Sequence, residues 1–242
     1  MRWAILSDIH SNLEAFRAVL LRLEKEKIDR IAFLGDIIGY GADPEMCIEL
    51  LKKTTECVVA GNHDLGAVGK SETTFFNAMA KTAIEWTANK IWKSHYDYLK
   101  ELPLIKLLDD FFMVHSTPLY PSQWNYILSE DDAAYNFHFF DHSVCFIGHS
   151  HSPQVFILKN GDNLSTIKST HFFIEEGSRY IINVGSVGQP RDGNPDSCFG
   201  ILDTEKREFR YIREPYNIHK AQQKIIDAGL PKVLAERIGV GY

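Results

Sequence analysis

Three short apolar runs, each closing on a polar tip and separated by helical segments, constrain this chain more than any other feature. Residues 3–6 end in Ser7-Asp8-Ile9-His10-Ser11-Asn12, residues 31–34 end in Gly35-Asp36, and residues 57–60 end in Gly61-Asn62-His63-Asp64. Between the first two runs, Leu13, Phe16, Leu20 and Leu23 recur at helical spacing, with Asn12 placed as N-cap. Between the second and third, residues 44–53 read as a helix with Asp43 as N-cap and Pro44 at the first helical position. This βαβαβ rhythm implies a parallel sheet with right-handed crossovers that delivers every polar tip to one edge. Open α/β sheets bind ligands at that carboxyl edge. After a glycine that lets the backbone turn, Asn62, His63 and Asp64 set an amide oxygen, an imidazole and a carboxylate side by side. The trio suits a metal ligand, a proton donor and a group that orients the donor; the same residues are also ordinary turn formers.

The second half has a different rhythm. A helical stretch over about 73–101 carries Phe76, Ala80, Ala83, Ile84, Thr87, Ile91 and Trp92 as an apolar stripe for packing that could border a cleft, and Pro103 ends it. Residues 111–114 form a strand ending in His115, and residues 144–147 another ending in Gly148-His149-Ser150-His151. Short strands follow at 154–158, 171–175, 180–184, 199–203 and 208–213, with turns at Lys159-Asn160-Gly161-Asp162 and Glu176-Gly177. Their spacing predicts a second, mixed or antiparallel sheet. The expected fold is α/β: a four-layer αββα sandwich of two mixed sheets flanked by helices. It forms one domain over 1–242 with a short helical tail at about 217–238, interrupted at Gly229-Leu230-Pro231.

Composition narrows the partners. A formal charge of -6 over 242 residues offers no basic excess to neutralise phosphates, which weighs against broad nucleic-acid or anionic-membrane binding. The four cysteines form no CxxC pair, and Cys57 and Cys145, inside apolar runs, read as buried thiols. No signal-peptide region opens the chain and no run of about 18 apolar residues could span a bilayer, so a soluble cytoplasmic protein is expected.

Collected together, the strand tips supply Asp8, His10, Asp36, Asn62, His63, Asp64, His115, His149 and His151. On an extended segment residues i and i+2 point the same way, so Asp8/His10 and His149/His151 should each converge on one centre. Mixed oxygen and imidazole donors suit Mn, Fe, Zn or similar divalent ions rather than Ca or a thiolate-bound zinc. With His63 and Asp64 set aside, seven candidate ligands exceed one ion's needs; two ions about 3.5–4 Å apart, bridged by one carboxylate, account for them.

The five blocks Asp8-Ile9-His10, Gly35-Asp36, Gly61-Asn62-His63-Asp64, His115 and Gly148-His149-Ser150-His151 resemble, in kind and order, the motifs of the calcineurin-like metallophosphoesterase superfamily. The segment from Asn183-Val184-Gly185 to Arg191-Asp192-Gly193, the long helical stretch and the tail around Ala228-Gly229-Leu230-Pro231 are similar to small bacterial and archaeal members, some of which hydrolyse diadenosine polyphosphates. Two departures touch no proposed ligand: that subgroup often has Asn-Pro-Gly in place of Asn183-Val184-Gly185, and Val114-His115-Ser116 replaces a common His-Gly.

The resemblance implies a first metal on Asp8, His10 and His151, a second on Asn62, His115 and His149, and Asp36 bridging both. His63 is the implied catalytic histidine that stays off the metals, with Asp64 as its partner. Two divalent ions drawn from Mn, Fe, Zn, Ni or Mg, Mn foremost, are the implied cofactors, and a small phosphate ester, nucleotide or dinucleoside polyphosphate is the implied substrate. No Ser or Cys nucleophile is needed, so no covalent phosphoenzyme is expected. Arg191, in a Gly/Pro-bounded loop, could clamp a phosphate; Asn12 could touch substrate or only cap its helix. Tyr120, Trp124 and Tyr126 could line the cleft and stack on a base, or simply pack. His95, His138, His142, His171 and His219 lie outside the motifs and are read as non-ligands. Three rivals stand beside this: a phosphoprotein phosphatase with the same metal chemistry, a nuclease, which the acidic charge disfavours, and a non-catalytic scaffold of the retromer-subunit kind. Such scaffolds lose motif residues, whereas all are present here.

Overall fold

A computed structural model describes all 242 residues. The chain opens with β1 (Arg2–Leu6), α1 (Leu13–Glu26), β2 (Arg30–Phe33) and α2 (Pro44–Thr54). Asn12 caps α1 as expected, its Oδ1 accepting from the Ala15 amide at 3.1 Å. Asp43 stands at the N-cap of α2 and Pro44 follows it, yet the Asp43 carboxylate makes no cap bond. It pairs with Lys224 at 2.8 Å instead.

The expected third strand shrinks to one bridge, Phe33 opposite Val58. Its ladder ends because Ala60 donates its amide to the Pro103 carbonyl at 2.8 Å and the chain then enters the six-residue helix α3 (Asn62–Ala67). The long helical stretch is two helices, α4 (Ala78–Ala88) and α5 (Lys93–Lys100). Next come β3 (Ile105–Leu107), β4 (Phe112–Val114), α6 (Glu130–Asn136), β5 (Val144–Ile147) and β6 (Gln154–Lys159). The series finishes with β7 (Asn163–Ile167), β8 (His171–Phe173), β9 (Ser178–Asn183), β10 (Ser197–Asp203), β11 (Glu208–Glu214), α7 (Ile218–Asp227) and α8 (Lys232–Val240). β3 and β7 escaped the sequence pattern because both are half-exposed outer strands with no continuous apolar run.

The strands form two mixed sheets, in the orders β2-β1-β10-β11-β8 and β3-β4-β5-β9-β6-β7. The division is not first half against second. β10 returns to lie antiparallel to β1, and β11 and β8 extend that same sheet. Alternation along the strands builds the layers. Trp3 and Ile5, Phe111 and Met113, and Val144 and Phe146 meet between the sheets. Their neighbours Ala4 and Leu6 face Phe16, Val19 and Ile48 of α1 and α2. Phe112 and Val114, with Cys145 and Ile147, face Ala133 and Phe137 on the far side. The result is two mixed sheets flanked by helices. All four cysteines are buried and free, and no helix is long and apolar enough to cross a membrane.

The C-terminal helices close over the first layer. Glu14 on α1 is buried and accepts from Lys220 at 3.0 Å and Lys224 at 2.8 Å. Burial raises its pKa, but the two lysines outweigh burial and hold it below the ordinary 4.5. A depressed carboxylate stabilises the fold above its unfolded pKa and loses that contribution as pH falls through the folded value. Glu14→Gln should therefore cost about 1.5–3 kcal/mol at pH 7, the range for hydrogen bonds to charged groups. In urea titrations the gap between variant and wild type should narrow below about pH 4.5. A gap independent of pH would assign the loss to packing instead.

Candidate metal centre

The carboxyl ends of β1, β2, β4 and β5 meet at one place, and the polar tips lie there. Five of the seven candidate ligands have left-handed backbones: Asp8 (φ 55°), His10 (49°), Asp36 (58°), His149 (68°) and His151 (60°). This corrects the extended-segment expectation, since Asp8/His10 and His149/His151 converge through tight left-handed turns rather than by strand alternation. Such conformations cost about 1–3 kcal/mol each and persist only where surroundings impose them. Here cross-chain hydrogen bonds do so. Asp8 donates its amide to the Gly35 carbonyl and His10 to that of Asp36, both at 3.0 Å, while the Asp8 carbonyl accepts from Gly188 at 2.9 Å and from Ser186 Oγ at 2.8 Å.

Two groups of buried donors result: Asp8, His10, Asp36 and His151, and Asp36, His115 and His149. Asp36 belongs to both. His10 Nε2 lies 3.0 Å from His151 Nε2, and Asp8 Oδ1 lies 3.2 Å from His151 Nε2. Asp36 Oδ2 is 3.5 Å from His10 Nε2 and 3.3 Å from His115 Nε2. Ligand atoms around one ion at about 2.1 Å lie roughly 3.0–3.4 Å apart. Asp8 Oδ1, Asn62 Oδ1 and His115 Nε2 are buried without a hydrogen-bond partner, although buried polar atoms are nearly always paired.

The imidazoles are set for coordination from behind. His10, His115 and His151 each place Nδ1 on a backbone carbonyl, of Ile38 (3.0 Å), Leu34 (2.8 Å) and Gln189 (2.6 Å). That turns Nε2 toward the centre. His149 is reversed, with Nε2 on the Trp124 carbonyl at 2.8 Å, so Nδ1 is free. Fixing the outer nitrogen sets the tautomer and raises the basicity of the inner one.

The charges favour a cation. Burial raises the Asp8 and Asp36 carboxyls, but the surrounding imidazoles, His151 and His115 foremost, pull both far below the usual range. No Lys or Arg pairs with either carboxylate; their ion-pair partners are all histidines. Burial lowers His149 to about 4 and His151 to about 3, so both are neutral at neutral pH. Burial alone would lower His115 as well, yet the Asp36 carboxylate lifts it to about 9. Donor chemistry, orphaned atoms and buried negative charge all fit divalent metal.

In the tetrad, Gly61 has extended backbone rather than a special turn conformation. It is required by proximity: a Cβ there would stand 2.0 Å from Asp36 Oδ1. Asn62 lines the cleft beside Asp36 and His149. The His63 imidazole packs between Tyr40 and Phe76, 4.5 and 4.8 Å away, and its backbone amide donates to Asp36 Oδ1 at 2.9 Å. Its Nδ1 has no partner. Asp64 does not hold His63. Its carboxylate accepts from the backbone amides of Asp36 (2.8 Å), Ile37 (2.9 Å), Ile38 (3.3 Å) and Gly61 (3.0 Å), so it braces the loop that carries Asp36. Burial and the Asp36 charge push its pKa up to about 7 against those donors.

Asp64→Asn would turn an NH2 group toward amides that already donate, costing about 1–3 kcal/mol. It should also weaken metal binding about 10–100-fold, as loss of a supporting group does. Thermal melts and Mn titrations check this; normal melting and metal affinity with slowed turnover would return Asp64 to His63.

Arg191 lines the same cleft, its guanidinium donating to Gln189 Oε1 (2.7 and 3.3 Å) and lying 5.6 Å over the Tyr40 ring. Asn12 does not line it. Both ends of its amide are engaged, by the Ala15 amide and the Gly188 carbonyl, which leaves the capping role. Tyr126 stacks on His149 at 4.2 Å and borders the cleft, while Tyr120 stands apart and exposed. Tyr40 and Phe75 also line the cleft and went unnoticed in the sequence; Gly39-Tyr40-Gly41, straight after a ligand tip, was the available signal.

A sequence model of the calcineurin-like phosphoesterase superfamily domain matches residues 1–207. The chain belongs to this superfamily. A metallophosphoesterase of known structure from Sphaerobacter thermophilus is 36% identical with a TM-score of 0.87, the match covering 100% of this chain and 99% of that one. An uncharacterized protein of Methanocaldococcus jannaschii is 38% identical over 246 residues, 98% of this chain and 97% of the relative. A hypothetical protein from Pyrococcus horikoshii OT3 shares the fold at 19% identity, with a TM-score of 0.82 over 100% of this chain and 98% of that one. Family and donor clusters together identify a phosphoesterase-type, metal-binding chain.

Proposed function

We propose that the chain is a dinuclear-metal phosphoesterase acting on nucleotides or dinucleoside polyphosphates, with manganese the preferred ion. One observation carries this: Asp36 is the carboxylate common to both groups of buried donors. In this reading Asp8, His10 and His151 hold one ion, Asn62, His115 and His149 hold the other, and Asp36 serves both. Two divalent ions bound there would neutralise the ester's non-bridging oxygens and lower the pKa of water toward neutrality.

The remaining work falls to the chain. Arg191, with no carboxylate partner, is free to take phosphate oxygens in a bidentate grip. His63 is held neutral, its pKa pushed well down by burial, so it meets the substrate as a neutral N–H donor. An incoming phosphate adds the negative charge that raises this pKa, and His63 can then protonate the leaving oxygen or stabilise charge on it. Tyr40, Phe76 and Tyr126 wall the cleft around the ester.

A Mn-supplemented panel tests the assignment: diadenosine tetraphosphate, a cyclic nucleotide, a simple diester and a phosphopeptide. The nucleotides should turn over fastest, and chelation should abolish all turnover. Preference for the phosphopeptide would make the chain a protein phosphatase. No metal-dependent turnover of any of the four would leave a scaffold.

A further inference from the structure

We propose that the groove beside the metal cleft, floored by Leu65 and Leu104 and walled by Phe75 and Trp124, binds one nucleoside of the ester through its base. The proposal rests on the phosphoesterase reading and adds to it the part of the substrate that lies away from the phosphate. The groove has a volume of about 700 Å³, within the usual range for small-molecule sites. It lies next to the metal cleft, and Phe75 lines both.

Phe75 is 91% exposed, an unpartnered aromatic ring at the junction of the two cavities. Trp124 is fixed opposite: its indole N–H donates to Ser71 Oγ at 2.8 Å, and its carbonyl accepts from His149 Nε2. The same residue thus anchors a candidate ligand and walls the groove. At the rim, Gln123 and Asn125 share one long hydrogen bond of 3.4 Å, which leaves carboxamide donors and acceptors for the edge of a base.

Charge divides the two spaces. In the groove Lys70 is engaged by the Lys100 carbonyl at 2.6 Å and Glu72 offsets it. The available guanidinium, Arg191, lies in the metal cleft. A phosphate therefore belongs in the cleft and a neutral planar group in the groove. Stacking on exposed aromatic rings is how proteins hold bases without strong sequence preference.

The test compares two Mn-supported reactions with the same leaving group, thymidine 5′-(p-nitrophenyl phosphate) and methyl p-nitrophenyl phosphate. In Phe75→Ala the ratio of kcat/KM for the thymidine ester over the methyl ester should fall about tenfold, and Phe75→Trp should restore it. An unchanged ratio in Phe75→Ala overturns the proposal. Calorimetry with thymidine on the metal-free chain gives a second readout: saturable binding, weakened about tenfold in Phe75→Ala, supports the groove, and no binding by wild type overturns it. If neither ester is hydrolysed while diadenosine tetraphosphate still is, the phosphoesterase reading stands and the calorimetry alone decides the groove; if nothing in either set is hydrolysed, the phosphoesterase reading fails.

Discussion

Asp36→Asn should lower phosphoesterase turnover on the order of 10³-fold and strip metal from the protein in the same step. The substitution keeps the shape of the side chain. One oxygen can still accept from the His63 amide, as Asp36 Oδ1 does at 2.9 Å, so α3 should stay in place. The other position becomes an NH2 group facing His10 Nε2 and His115 Nε2, at the 3.3–3.5 Å where Asp36 Oδ2 now stands. An amide nitrogen is a donor without an available lone pair, so it serves neither group of ligands. Metal content by mass spectrometry after dialysis, measured with kcat, checks the result. Full metal occupancy with full turnover would remove Asp36 from the shared position.

His63→Ala should do the reverse: metal content stays near that of wild type while kcat falls about 10²–10⁴-fold, the usual contribution of an acid or charge-stabilising group. The separation follows from where the two halves of the residue go. The backbone amide supports Asp36, and alanine retains it. The imidazole lies outside both donor groups, against Tyr40 and Phe76, with Nδ1 free. The loss should be larger for esters with poor leaving groups, which depend most on proton donation. Loss of metal from this variant would make His63 a ligand.

The apolar runs and their polar tips exposed the site because strand ends in an α/β fold are fixed by the strands themselves. β1, β2, β4 and β5 carry Asp8, Asp36, His115 and His149 to one place, as the pattern of short buried runs implied. Three things were not legible. The return of β10 to β1 is a pairing across some two hundred residues that no local period encodes. The left-handed backbones at Asp8, His10 and His151 come from cross-chain hydrogen bonds, so propensity could not reveal them. Asp64 looked like the neighbour of His63 because they adjoin in sequence, but consecutive helical residues face different ways, and Asp64 turns to the Asp36 loop.

The placement of β10 gives the centre a birth order. During vectorial synthesis, Asp8 and His10 leave the ribosome well before the strand that flanks β1 and the Ser186 and Gly188 groups that clasp the Asp8 carbonyl. At about 5–20 residues per second, most of the ligands wait many seconds before their turns can close. A nascent chain truncated before Ser197 would carry all seven candidate ligands and still lack the strand that completes the first sheet. Capture of a divalent ion by these donors should therefore follow the release of β10, and nascent chains that end before Ser197 should retain none.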